Sequence, residues 1–393
     1  MDIKKDEKKY IMQTYRRNNV VFVRGKGQYL WDAAGNKYLD FFAGISVCNA
    51  GHCNPAVVAA AQKQMGALMH TSNLYYTGPQ VTLARELITR SMPGKVFFSN
   101  SGAEANECAI KLARKWGEFT GKYEIITFKN SFHGRTIATL SATGQEKFHA
   151  HFKPLLAGFK HAVLNSIDSV NQCISAKTAA ILIEPIQGEG GVAAADVRFL
   201  KDLRVLCDKK RILLMFDEIQ TGMGRTGNLF AWQTFRVRPD VFTLAKSLAG
   251  GLPIGATVVA APYADTFVYG DHGSTFGGNP VSCAASLALL KFLTPSLLKR
   301  VKATGAYFIE QLGELKKRQS CIREVRGRGL MVGIELDFPG RDVVQFCQDN
   351  GVIINCTQDT VLRFLPPLVV TTADVDKVID TVEGALVWAQ SKK

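Results

Sequence analysis

Short apolar runs alternate with helical patterns through the middle of the chain. The runs are KVFFS at 95–99, YEIITF at 123–128, AAILIEPI at 179–186, RILLMFDE at 211–218, VFTLA at 241–245 and IGATVVAA at 254–261. Each is apolar on successive residues instead of every second one, the pattern of a strand covered on both faces. Helices between such strands imply βαβ units and a mainly parallel central sheet flanked by helices, an α/β architecture. Residues up to about 45 differ: VVFVRGKGQYLWDAAGNKYLDFFAG mixes apolar runs with glycine turns and predicts strands. A helix is predicted after the Asn54-Pro55 start signal, through AVVAAAQKQMGALM. Beyond ASLALLKFL come a helical pattern around 296–315, strand candidates GLMVGIEL, GVIIN and VLRFLPPL, and a last helix near 373–390. This tail predicts a smaller α+β unit. The expected division is therefore 1–47 as a segment joining the small domain, 48–290 as the large domain and 291–393 as the small one. No flexible linker separates them, so tight docking is expected.

Composition changes this picture little. At 393 residues with 47% hydrophobic and 21% charged, the chain has the balance of a folded enzyme of two or three domains. Its net charge of +14 raises nucleic acid or membrane partners. The basic residues are scattered, however, and KKDEKK at 4–9 mixes signs, so neither partner is expected. A positive field suits a small anionic substrate and a phosphorylated cofactor. The nine cysteines never form a C-x-x-C pair, which argues for reduced thiols and against a zinc site or disulfide framework. The first residues, MDIKKDEKKYIMQTYRR, lack a signal peptide's apolar core, and no apolar run reaches 18 residues. A cytoplasmic location is the resulting expectation.

Candidate chemistry gathers at strand ends, where parallel sheets bind ligands. Asp217 and Lys246 each close an apolar run. An amine for an aldehyde and an anion for a ring nitrogen suit pyridoxal phosphate. In KVFFSNSGAEANECAIKLARKW, Ser99, Asn100 and Ser101 supply helix caps, and Gly102 opens a helix whose free N–H groups could cradle phosphate; an ordinary capped helix is the alternative. Gly222, Gly224 and Gly227 form a literal G-x-G-x-x-G, but residues 217–221 intervene after the strand and no helix pattern follows, so a tight loop is favoured over nicotinamide binding. Phe132, His133 and Arg135 follow the YEIITF strand, where an arginine fork could grip a carboxylate. His149 and His151 lack a third ligand and are expected on the surface. Glu184 and Glu189 could be an acid–base pair or simply a solvated loop, Glu189 gaining interest only if an arginine such as Arg363 faces it. Ser274 and Thr275 lie in a glycine-rich turn before a helix pattern, suited to phosphate or to capping alone.

Taken in order, NSGAEANE, FHGRT, EPIQGEGG, DEIQTGMGRTG, LAKSLAGGLPIGA, HGSTFGGNP, RGRGLMVGIEL and LRFLPPL resemble the class III, ornithine-type aminotransferases of the fold type I pyridoxal-phosphate family over nearly the whole chain. The resemblance implies that Lys246 carries the cofactor covalently, Asp217 pairs with its ring nitrogen, Gln220 touches its ring hydroxyl and Phe132 stacks on its ring. It assigns the phosphate to Ser101 and to the backbone of Gly102 and Ala103, with Thr275 reaching the neighbouring subunit's phosphate in a homodimer with shared sites. His133, Glu218 and Ile219 complete the implied cofactor set, with no metal. Arg135 would hold a substrate carboxylate near the partner subunit's Ser274, and Glu189 would pair with Arg363 in one half-reaction and release it for a dicarboxylate in the other. The implied reaction is ping-pong transfer of an ω-amino group to 2-oxoglutarate, in arginine biosynthesis. N2-acetylornithine is the first candidate donor; ornithine, 4-aminobutyrate and succinyldiaminopimelate are the alternatives, and a cofactor-binding protein without turnover is a remote one. Two departures stand out: Ala103 replaces a threonine frequent in relatives, and VCNAGHCNP puts Cys48 and Asn49 near the expected rim of the site.

Overall fold

A twisted seven-stranded sheet forms the centre of the computed structural model, which describes residues 2–392. Ahead of it in the chain, a helix at Ile3–Tyr10 precedes β1 (Phe22–Lys26), β2 (Tyr29–Asp32) and β3 (Lys37–Asp40). The strands that follow are β4 (Gly94–Ser99), β5 (Glu124–Phe128), β6 (Phe159–Ala162), β7 (Thr178–Ile183), the two-residue β8 (Ile186–Gln187) and β9 (Ala193–Ala194), β10 (Leu213–Asp217), β11 (Val241–Leu244) and β12 (Gly255–Ala260). The central sheet has the order β4-β12-β11-β10-β7-β5-β6. Only β12 runs against its neighbours; the β5, β6, β7, β10 and β11 pairings are all parallel. Every residue of β7, β10 and β11 is buried, which explains why these segments read as unbroken apolar runs.

The remaining strands are β13 (Ile322–Arg328), β14 (Met331–Leu336), β15 (Val352–Ile353), β16 (Asn355–Thr357) and β17 (Val361–Phe364). Four of them form a sheet of order β13-β14-β17-β16, whereas β15 joins β3 in parallel, Val352 opposite Leu39. That pairing ties the chain's beginning to its last hundred residues. Elements absent from the sequence reading include the Ile3–Tyr10 helix, which buries no residue; β6, a four-residue edge strand; and β13, whose IREVRGR carries too many charges to look like a strand. Among the described residues, no single helix is long and apolar enough to cross a membrane.

Candidate active site

β10 and β11 lie side by side in parallel, Asp217 opposite Thr243, so Asp217 and the residues just past β11 emerge at the same edge of the sheet. The Asp217 side chain is buried and fixed from both oxygens. Oδ2 accepts from Asn106 Nδ2 at 2.8 Å and lies 2.8 Å from His133 Nδ1, while Oδ1 accepts the Ile219 N–H at 3.1 Å. Asn106 is itself locked, since Thr243 Oγ1 donates to its Oδ1 at 2.8 Å and its Nδ2 also donates to the His133 carbonyl at 2.8 Å. An ionised carboxylate offers about four lone-pair sites. The partners present leave room for one more donor. Asn106 went unnoticed in the sequence, although a polar side chain among the buried alanines and cysteine of its helix was the available signal.

Lys246 opens a short 3₁₀ turn directly after β11 with φ of 44°, a left-handed conformation that costs a lysine on the order of 1 kcal/mol. The turn aims a long side chain back over the strand ends. Burial pushes its amine below the usual lysine range, partly offset by Glu189. Among the described residues no hydrogen bond reaches the amine, and its lowered pKa favours the nucleophilic form.

The Gly102–Gly117 helix begins beside this pair. Ser101 caps it by accepting the Glu104 N–H at 3.2 Å, and the Ala105 N–H goes to the Ser101 carbonyl. The N–H groups of Gly102 and Ala103 have no acceptor among the described residues. Two free donors at the positive end of a 16-residue helix make an anion site. A side chain at Gly102 would crowd Ile219, a Cβ falling 2.8 Å from its Cδ1. Together with Phe132, His133, Gly134, Arg135, Glu184, Glu189, Asp217, Ile219, Gln220 and Lys246, Gly102 and Ala103 line a cavity of about 230 Å³. A phosphate at the helix, a protonated ring nitrogen at Asp217 and an aldehyde at Lys246 all find their partners in it, so these residues fit the expected cofactor.

Arg363 of β17 does not itself line the cavity but holds Glu189, which does: it is buried to 1% exposure, with Nη1 2.6 Å from Glu189 Oε1. It also donates to Asn355 Oδ1 at 2.9 Å and to Gln220 Oε1 at 3.3 Å. Burial pushes the Glu189 carboxyl up, but Arg363, and then Lys246, pull it below its usual range. The Glu189 backbone is anchored through its carbonyl, which accepts from Thr357 and Gln358, whereas its side chain is partly exposed. A carboxylate on a fixed backbone with a free side chain can leave the arginine and return. Gln220 reaches Arg363 only because residue 188 is glycine; a Cβ there would fall 2.0 Å from Gln220 Oε1. Arg135 stands exposed, with neither hydrogen bond nor ion pair to its side chain among the described residues.

Several expectations need correcting. Glu218 does not face the cavity: its carboxylate accepts the Ala231 and Trp232 N–H groups, because it points away from the side on which Asp217 lies. Ser101 stands at the helix cap, directly before the free N–H groups of Gly102 and Ala103. Ser274 and Thr275, which the resemblance assigns to the neighbouring subunit's site, lie outside their own chain's cavity, on a loop held to Asn73, whose Nδ2 donates to the Ser274 and Gly277 carbonyls at 2.9 Å. Asn49 is not at a rim but wholly buried, donating to the Met223 carbonyl and accepting from Arg225. Arg225 belongs to the G-x-G-x-x-G segment, which forms turns and opens no helix. Its guanidinium is completely buried, donating to Ser46 Oγ at 3.0 Å, Leu330 O at 2.9 Å and Pro366 O at 2.6 Å; burial pushes its pKa down to about 9. His149 is buried too, its Nε2 3.0 Å from the Leu140 carbonyl. Glu184 does carry a perturbation that its local sequence concealed: burial raises its carboxyl, against the pull of His133.

Known proteins match this arrangement along nearly its full length. The family described as class-III aminotransferase matches residues 10–386. An acetylornithine aminotransferase of Methanocaldococcus jannaschii is 52% identical over 98% of both chains, and another, from Caldanaerobacter subterraneus subsp. tengcongensis, is 49% identical over 97% of this chain and 98% of its own. Among solved structures, an ornithine aminotransferase of Toxoplasma gondii, with PLP at partial occupancy in its active site, has a TM-score of 0.94 at 35% identity, covering 99% of this chain and 94% of the other. N-acetylornithine aminotransferase of Stenotrophomonas maltophilia has a TM-score of 0.85 at 37% identity, covering 99% and 100%.

Proposed function

The chain belongs to the class-III aminotransferases, and from that premise we propose that it transfers the ω-amino group of N2-acetylornithine to 2-oxoglutarate, giving N-acetylglutamate 5-semialdehyde and glutamate in arginine biosynthesis. The likeness to acetylornithine aminotransferases at about half identity carries the choice of donor; the ornithine aminotransferase above is more distant in sequence though close in fold.

The cofactor is pyridoxal phosphate, which supplies an aldehyde that condenses with amines and a ring that draws electrons from the neighbouring carbon. In this reading Asp217, held by Asn106 and His133, keeps a negative charge at the ring nitrogen. Gly102 and Ala103 would hold the phosphate, Phe132 would pack on the ring and Gln220 would meet its hydroxyl. Lys246 Nζ retains the cofactor between turnovers and moves the proton of the donor's ω-carbon. Arg135 grips a substrate carboxylate. Glu189 neutralises Arg363 while the acetylated donor is bound, then withdraws so that Arg363 takes the second carboxylate of 2-oxoglutarate. A single site thereby serves a side chain without that charge in one half-reaction and a dicarboxylate in the other.

A homodimer accounts for Ser274 and Thr275. Both lie outside their own chain's cavity, next to a strongly exposed Leu74-Tyr75-Tyr76 segment (87%, 68% and 100%) and Phe276 at 60%. A second copy covering this patch would bring Thr275 to the neighbour's phosphate and remove apolar area from water. A cytoplasmic location suits nine cysteines with no C-x-x-C pair among them.

Steady-state rates of glutamate formation with acetylornithine, ornithine, 4-aminobutyrate and succinyldiaminopimelate test the assignment. At least a ~10-fold higher kcat/KM for acetylornithine than for free ornithine is expected, a span that pocket contacts can supply. A preference for free ornithine overturns the choice of donor while leaving the family intact.

A further inference from the structure

Phe148 has no part in the chemistry described so far, yet it meets the cation assigned to the substrate carboxylate. Arg135 Cζ lies 4.3 Å from the centroid of the Phe148 ring and 5.4 Å from that of Phe132. The two rings contact each other edge to face, with centroids 5.7 Å apart and an interplanar angle of 74°. Resting on the reading that Arg135 holds a substrate carboxylate, we propose that Phe148 is a positioning residue for anion recognition, fixing the guanidinium through a cation–π contact.

An exposed arginine has several freely turning bonds, and ordering it on a ligand carries an entropic cost. An aromatic face attracts the cation without consuming any of its five N–H donors, which an ion pair would do. Arg135 is in that condition: it has aromatic neighbours and, among the described residues, no ion pair. The support under Phe148 is rigid. It sits on the Glu146–His149 turn, where His149 is buried against the Leu140 carbonyl. Gln145 donates to the Asn130 and Ser131 carbonyls at 3.2 and 3.0 Å, tying the turn to the segment that carries Phe132. Lys147 Nζ lies 5.3 Å from the same ring, a second and more distant cation.

The test compares Phe148→Leu, which removes the π face at similar volume, with Phe148→Tyr, which keeps it, in the holoenzyme. Phe148→Leu is expected to raise KM for 2-oxoglutarate by about 3- to 10-fold. Its kcat, Tm and the absorption band of its bound cofactor should stay near wild type, and Phe148→Tyr should restore KM. Placing Phe148→Leu in an Arg135→Ala background should add nothing further, because the contact is already lost. An unchanged KM in Phe148→Leu beside a raised one in Arg135→Ala overturns the role of Phe148 alone. A fall in kcat with a shifted cofactor band also overturns it, placing the effect on Phe132. An unchanged KM in Arg135→Ala removes the reading of Arg135 itself, and the proposal with it.

Discussion

The two halves of the cavity are built on opposite plans. On the side of Asp217 and Lys246, every group except the amine is tied down: Asp217 by three contacts, Asn106 by Thr243, Gly102 by the close approach of Ile219. On the side of Arg135, Glu189 and Arg363, the groups are held by few or exchangeable partners. Arg135 rests on aromatic rings, and the Glu189 side chain is 28% exposed while its arginine is at 1%. The contrast separates two demands. Chemistry common to both half-reactions needs fixed geometry, whereas recognition of two unlike substrates needs a contact that can be broken and remade.

If that division is right, losses on the rigid side fall on kcat and losses on the other side fall on KM. The largest effect is expected from Lys246→Ala, which leaves no amine in the cavity. Glutamate formation should fall by at least ~10⁴-fold, with circular dichroism unchanged. Normal turnover in that variant would end the assignment of the reaction core. Asp217→Asn comes next. The isostere keeps the size but loses the charge and sets an amide against Asn106, and kcat should fall by roughly 10²- to 10³-fold, with KM for 2-oxoglutarate nearly constant. A rise in KM alone would mean that Asp217 belongs to recognition.

On the exchangeable side, Arg363→Ala should raise KM for 2-oxoglutarate by about 10- to 100-fold and lower Tm. It leaves the partly exposed Glu189 without its cation, a loss of about 1 to 2 kcal/mol, between the cost for an exposed and for a buried pair. Glu189→Ala sharpens the comparison further, because the two partners should act in opposite senses. With Arg363 permanently bare, glutamate and 2-oxoglutarate should bind more tightly, while kcat/KM for acetylornithine falls by about 10-fold. Equal losses for both substrates would show a structural ion pair and no gate.

How far the sequence carried this picture follows the same division. The unbroken apolar runs located β10 and β11, and with them Asp217 and Lys246, because burial on both faces leaves a local signature. Glu189 and Arg363 are 174 residues apart, and nothing local joins them; the residues alone offered Arg363 only as a candidate partner, and the family resemblance made it a pair. Arg225 and Asn49 stayed hidden for a related reason. A completely buried arginine satisfied by carbonyls and an amide looks in sequence like any polar loop residue. His149 was placed on the surface because its polarity is visible in sequence, whereas the Leu140 carbonyl that satisfies it is not.

Glu218 gives the finest test, being adjacent to Asp217 yet assigned by its contacts to the scaffold. Its carboxylate accepts the Ala231 N–H at 2.5 Å and the Trp232 N–H at 2.7 Å, and burial raises its pKa to about 8. A carboxyl raised in the folded state contributes stability that is fully present below its unfolded value near 4.5 and is lost as pH rises through about 8. The wild-type Tm should therefore decline across that window, by at most about 1.4 kcal/mol per pH unit from this one group. Glu218→Gln cannot ionise and should flatten that part of the slope. It should also carry a pH-independent loss of about 1 kcal/mol, since one amide oxygen accepts one of the two N–H groups and its NH₂ opposes the other. Its kcat should stay within about 3-fold of wild type, far from the loss expected for Asp217→Asn, because no atom of Glu218 lines the cavity. Differential scanning at pH 5 to 9 beside steady-state rates decides it: a collapse of kcat with an unchanged Tm slope would return Glu218 to the rigid half of the site.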